Sequence, residues 1–178
     1  QLLATEPALS KPKPQHVPAA TSTVAAAPVT ASASPVFQCQ LAIWAVDDLL
    51  VLADMPRLDN SQQQLLRNIL QAIGRNHPSL PDVKQFSWPI LQRKDRSLEA
   101  ARDHFQGMLD GGLLQKGLRQ VLCFGSTSAT LLATDDGAEP ATQYKDWPVT
   151  TVCALHEMLA DPSRKAGTWR ALQVLVRT

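Results

Sequence analysis

From Phe37 onward the chain alternates between short apolar runs and amphipathic stretches. Gln40–Val46 (QLAIWAV) and Leu49–Ala53 (LLVLA) are rich in branched residues, with only Asp47-Asp48 between them. Two such runs across a two-residue polar break predict a β-hairpin. After the polar DMPRLDN, residues Leu65, Leu66, Ile69, Leu70 and Ile73 fall on one face of a helix over Ser61–Ile73, with Asp59 or Asn60 as its cap and Gly74 as its stop. Pro78 and Pro81 mark a loop, and Val83–Ile90 (VKQFSWPI) predicts a third strand. Ser97–Leu109 predicts a second helix with Leu98, Ala101, Phe105, Met108 and Leu109 inward, ended by Gly111-Gly112. Gln120–Gly125 (QVLCFG) reads as a buried strand that feeds a short helix in STSATLLA, capped by Ser126. A polar loop, Thr134 to Asp146, leads to a last strand in WPVTTVCAL. The closing helix is predicted over Pro162–Val176, with Asp161 accepting from first-turn amides and Pro162 needing no partner for a missing N–H.

Strands that alternate with helices after an initial hairpin predict an α/β fold. The expected plan has three layers: a mainly parallel central sheet of four to five strands, with helices on both faces. Residues 1–36 are of a different kind. They hold six of the 13 prolines, and their middle reads AATSTVAAAPVTASASP. So few bulky apolar side chains cannot offset the entropy of ordering the segment. The expectation is a disordered Ala/Pro-rich linker over 1–36 and a single α/β domain over 37–178. The chain opens on Gln1, which reads as a start partway through a longer protein, and no signal-peptide pattern follows it.

Charge narrows the function classes. With 17 basic and 16 acidic side chains the net charge is +1, so no global field draws in nucleic acid or an anionic membrane. No apolar run approaches the roughly 20 residues that span a bilayer. Cys39, Cys123 and Cys153 are odd in number and lie in no metal-binding spacing. They read as small apolar side chains of a reduced, cytoplasmic protein.

Chemistry is thinly signalled. The segment Cys123–Ser128 runs a strand through Gly125 into a Ser-rich helix start, which presents backbone N–H groups to an anion or simply joins two elements. It lacks both the dinucleotide and the P-loop glycine patterns, and the spacing of a nucleophile elbow. Asp54 ends the second strand, where open α/β sheets keep their ligands; it orients a water or caps the turn at Met55-Pro56. Asp135-Asp136 reads as a solvated pair in a loop. His16, His77 and His104 are scattered, and His156 is the histidine placed after the last strand, as a general acid–base would be. Four of the nine aromatic residues are tryptophans. Trp169 lies in line with Leu172 and Val176 and reads as core. Trp88 and Trp147 precede prolines at strand edges and are the candidates for partner binding.

The order DDLLVLADMP, QQLLRNILQAIG, QVLCFGSTSATLL and ADPSRKAGTWRALQ resembles the uracil-DNA glycosylase-like fold over about Asp47–Leu175. The resemblance implies a water-activating loop after the first parallel strand and a His-Pro-Ser loop before the last helix. Here the first loop is LADMPRLDN, without Gly-Glu-x-Pro-Gly character. Counting back from Asp161-Pro162 puts Ala154 at the imidazole position and displaces His156 by two residues. The cluster cysteines of the iron–sulfur branch are missing too.

LLVLADMP and the terminal Ala154-Leu155-His156-Glu157…Asp161-Pro162…Trp169 are more closely similar to the psi-subunit family of the bacterial DNA polymerase III clamp-loader assembly. That resemblance implies a non-catalytic accessory subunit without cofactor. It would bind the chi subunit through the globular domain and the clamp-loader collar through a peptide N-terminal to the linker, meeting single-strand-binding protein and DNA indirectly. No collar-binding peptide with aromatic and basic residues is visible in Gln1–Ala20. The alternatives are a divergent base-excision enzyme using Asp54 or Asp59 with His156, and a generic interaction domain on a tether.

Overall fold

The structure, a computed structural model, describes residues 36–77, 79–91, 94–112, 117–133 and 141–176. The expected linker over 1–36 therefore lies almost wholly outside the described residues, as do His16 and Asp135-Asp136. Strand β1 (Cys39–Val46) turns at Asp47-Asp48 into β2 (Leu49–Ala53), and Val46 pairs with Leu49 across the turn. Asp47 takes φ 54°, which a two-residue hairpin requires and which Asp tolerates better than most residues. Every residue of β2 is buried, as in a strand covered on both faces.

Helix α1 (Asn60–Ala72) follows, then β3 (Lys84–Trp88), α2 (Leu98–Gly112), β4 (Gln120–Phe124) and α3 (Ser126–Leu132). Strands β5 (Gln143–Tyr144) and β6 (Trp147–Val152) form a second hairpin, with Lys145 at φ 52° in its turn. Helices α4 (Leu155–Ala160) and α5 (Arg164–Leu172) complete the chain, with a single 3₁₀ turn over Gln173–Leu175. The predicted cap of α1 is present in full: Asp59 accepts from Gln62 N–H at 2.8 Å, and the Gln62 side chain accepts from Asp59 N–H at 3.0 Å. Gly74, at φ 82°, ends the helix in a Schellman motif, with Arg75 N–H on Leu70 C=O and Gly74 N–H on Gln71 C=O.

The sheet has six strands in the order β3-β1-β2-β4-β6-β5 and is mixed. β2/β4 and β4/β6 pair in parallel, whereas β1/β2, β1/β3 and β5/β6 pair antiparallel. This corrects the mainly parallel, four- to five-stranded sheet expected from the sequence. The reason is where β3 goes. It runs in the same direction as β2, but it joins the sheet beyond β1, so its hydrogen-bonding partner is the one strand there that runs the other way. The sixth strand is β5, two residues inside the segment read as a loop.

Helices cover both faces. One face packs α2 and α3, through Ala101, Phe105, Leu109, Leu131 and Leu132, onto Leu50, Leu52, Val121 and Cys123. The other packs α1, α4 and α5, through Leu66, Leu70, Met158 and Leu172, onto Val51, Leu122, Phe124 and Val152. The alternation along β2 and β4 feeds the two cores in turn, as strand geometry requires. Arg75 is buried among them at 1% exposure. Its guanidinium donates to Asp48 at 3.0 Å, to Gln120 at 2.8 Å and to the Leu175 carbonyl at 2.9 Å. One cation thus ties the first hairpin, the start of β4 and the last turn of the chain. No helix among the described residues is long and apolar enough to cross a membrane.

The C-terminal region also departs from expectation. The last strand stops at Val152, and Leu155–Ala160 is helix rather than strand end. Asp161 closes α4 and accepts from Ser163 N–H at 3.0 Å and Ser163 Oγ at 2.6 Å, so α5 begins at Arg164 and not at Pro162. The two aspartate bonds make a local turn that links the two short helices.

Candidate functional site

The carboxyl ends of the parallel strands β2, β4 and β6 converge on Asp54, Gly125 and Ala154, the place where α/β sheets present ligand-binding groups. Asp54 continues the ladder: its N–H donates to the Phe124 carbonyl at 3.0 Å. Its side chain then crosses to the neighbouring strand–helix junction. Oδ2 accepts from Thr127 N–H at 2.7 Å and Oδ1 from Ser128 N–H at 2.9 Å. The carboxylate occupies the N-terminus of α3, where unpaired amides and the helix dipole favour negative charge. The anion that the Cys123–Ser128 junction seeks is supplied from within the domain.

This arrangement overturns the expected cap. The N-cap residue of α3 is Gly125, which has no side chain to offer, and Ser126 lies inside the helix with its carbonyl accepting from Thr130 Oγ1 at 2.9 Å. Gly125 is at φ 106°, and a Cβ there would be driven into the Asp54 carboxylate. The glycine and the aspartate form one device: the first makes room for the second. The Asp54 side chain caps α3 rather than the turn at Met55-Pro56.

Two thiols lie within the influence of the Asp54 charge. Burial pushes the Cys39 thiol up to about 12, and the Asp54 charge adds to the rise while a backbone hydrogen bond at Trp88 opposes it. Burial likewise pushes Cys123 up to about 12, with a hydrogen bond to Ser128 opposing and the Asp54 charge reinforcing. Both thiols are protonated at neutral pH and make poor nucleophiles or metal ligands. Among the described residues no three His, Cys, Asp or Glu side chains come together as a metal site. A cleft of about 500 Å³ does open beside Asp54, between Cys39 and Gln40 of β1, Pro56, and Ser87–Pro89 at the end of β3.

The remaining candidates do not join this cleft into a catalytic centre. His156 is exposed in the first turn of α4, makes no hydrogen bond or ion pair with the described residues and does not line the cleft. Ala154, at the expected imidazole position, is buried as the N-cap of α4. Asp59 is committed to capping α1. Trp88 does reach the cleft, but it is 97% buried, its ring 5.9 Å from that of His104, so little of its area is open to a partner. Trp147 is half-buried, edge-on to Tyr144 at 6.2 Å.

The exposed tryptophan is the one assigned to the core. Trp169 is 42% exposed at the rim of an apolar groove of about 260 Å³. Leu65, Ile69 and Ala72 of α1 form one wall, and Met158 and Leu172 form the other. Lys165 is the charged residue in the lining. The helical alignment of Trp169 with Leu172 is real, but α5 is short and its fully buried residues are Thr168 and Leu172. The signal for exposure was in the neighbours, since α5 reads RKAGTWRAL and has few apolar residues to bury. No protein-family model, no curated protein and no solved structure matches the chain.

Proposed function

We propose that this chain is a non-catalytic, psi-like accessory subunit of a DNA polymerase III holoenzyme, with the uracil-DNA glycosylase-like fold as its structural ancestry. In this reading the globular domain binds the chi subunit and, through it, single-strand-binding protein. A segment N-terminal to the linker joins the clamp-loader collar, and the complex works in the cytoplasm during DNA replication. The observation that carries the reading is the commitment of Asp54. The carboxylate at the place of the glycosylase water-activating loop is tied to two backbone amides at 2.7 and 2.9 Å, which gives it a role in the fold that requires no catalysis. The resemblance of the LLVLADMP and Ala154…Trp169 segments supports the reading, and the exposed apolar groove at Trp169 offers a surface of the kind that interface hot spots use.

Co-expression with a chi subunit is the test. A complex that co-elutes, and that Trp169→Ser weakens at least about tenfold, is the expected result, since losing a central aromatic anchor at an interface costs roughly 2 kcal/mol or more. A chain that stays monomeric beside chi would sink the proposal. The cleft beside Asp54 keeps the base-excision alternative open to assay: release of uracil from single-stranded DNA, lost in Asp54→Asn or in His156→Ala, would replace the accessory-subunit reading with it.

A further inference from the structure

The two edges of the sheet are treated differently. On one side β3 ends the sheet carrying Lys84 and running into Pro89, both of which discourage a further strand. On the other side β5 covers β6 only at Trp147 and Pro148. The stretch Val149–Cys153 beyond it contains no charge and no proline.

The direction of the backbone groups follows from two hydrogen bonds. Val152 C=O accepts from Gly125 N–H at 2.9 Å, so Val152 and Thr150 turn their backbone groups toward β4. Val149 N–H donates to Thr142 C=O at 3.0 Å on the opposite side. Thr151, in the same phase as Val149, therefore directs its N–H and C=O outward, where neither meets a partner among the described residues. Thr151 is exposed. Beside this edge runs a groove of about 340 Å³ between Thr151–Cys153 and the α5 residues Gly167 and Thr168. Cys153 Sγ and Thr168 Oγ1 touch at 3.2 Å across it, and a Cβ on Gly167 would meet nothing within 4 Å.

We propose that the edge of β6 left open among the described residues accepts an extended segment of a partner polypeptide as an added strand, one side chain of which seats beside Gly167. Outward main-chain groups supply the ladder, and the adjacent groove selects the side chain, the two components of recognition by strand addition. The groove is lined by uncharged Thr, Val, Cys, Gly and Ala side chains together with Arg164, whose guanidinium already bonds Glu157 at 3.0 Å. The segment that suits this lining is uncharged, and β-branched residues suit it to an extended strand. A second copy of the chain is a poorer occupant, because a stable protein interface uses roughly 20–30 residues a side and this edge offers a handful. The inference stands apart from the accessory-subunit reading and uses none of the residues in the Trp169 groove except Thr168, which lines both.

The test is an amide-resolved NMR titration of the full chain with the peptide acetyl-Thr-Val-Thr-Val-Thr-amide. The expected result is saturable movement of the Thr151 and Cys153 amide signals, with slowed hydrogen exchange at Thr151. An analogue N-methylated at its valines should bind at least about tenfold more weakly, because the ladder is blocked. Gly167→Leu should weaken the parent peptide by about tenfold while holding or raising the thermal midpoint, since a helix-interior glycine with open space around it is replaced by a better helix former. An unmoved Thr151 signal overturns the proposal. So does equal binding of the N-methylated analogue or full affinity in Gly167→Leu. Concentration-dependent movement of Thr151 without peptide would give the edge to a second copy instead.

Discussion

Replacing Asp54 by alanine separates a structural carboxylate from a catalytic one. The side chain satisfies two amides at the start of α3, and the two are not equally exposed. Ser128 is fully buried, whereas Thr127 is partly open to solvent. Water can take over at Thr127; at Ser128 the orphaned donor costs about 1–3 kcal/mol. Loss of a charged acceptor at a helix N-terminus adds about 1 kcal/mol. Asp54→Ala should therefore destabilise the domain by about 2–4 kcal/mol, and Asp54→Asn, which keeps one acceptor oxygen, by about half as much. For a chain of this size that corresponds to a fall in thermal midpoint of roughly 5–15 °C. Urea denaturation followed by far-ultraviolet circular dichroism measures both variants against the parent. Unfolding of Asp54→Ala within about 0.5 kcal/mol of the parent, the range of an unremarkable surface change, would refute the capping role of Asp54.

Two further outcomes follow from buried groups. Arg75→Met leaves Asp48, Gln120 and the Leu175 carbonyl without their shared donor; because the Asp48 side chain is 24% exposed, the loss should sit near the lower end for a broken buried pair, about 3 kcal/mol, and a double cycle with Asp48→Asn in urea should show strong coupling. Stability should also fall on the alkaline side. Cys39 and Cys123 rise from 9.0 to about 12 and Tyr144 from 10.0 to about 12, so between these limits the native state binds more protons than the unfolded one. The contribution is complete below pH 9 and is lost as pH rises toward about 12, and a urea midpoint that does not drop between neutral pH and about pH 10.5 would contradict it.

Local rules in the sequence carried much of the architecture. The first hairpin, the capping box at Asp59-Gln62 and the stop at Gly74 all depend on residues within a few positions of one another, so a linear reading captures them. The pairing of β3 with β1 depends on a contact between Leu41 and Phe86, far apart in the chain, and periodicity says nothing about it. Asp54 shows the same limit at the candidate site. Its position after β2 was legible, but its partners are 73 and 74 residues away. Trp169 was misplaced for a different reason: helical spacing identifies a stripe, and α5 is too short for the whole stripe to reach the sheet. Arg75 gave no sign of burial in a segment reading Gly-Arg-Asn-His, because its three partners come from three separate elements.

That cation also bears on the order of folding. Its bonds span 27, 45 and 100 residues of chain, the longest to Leu175. While the chain is being made, the first hairpin and α1 emerge long before Leu175 does, and Arg75 must wait with its guanidinium hydrated. Contacts of such sequence separation form late and slow the closing step. The end of the domain opposite Asp54 therefore becomes dry only when the final turn docks.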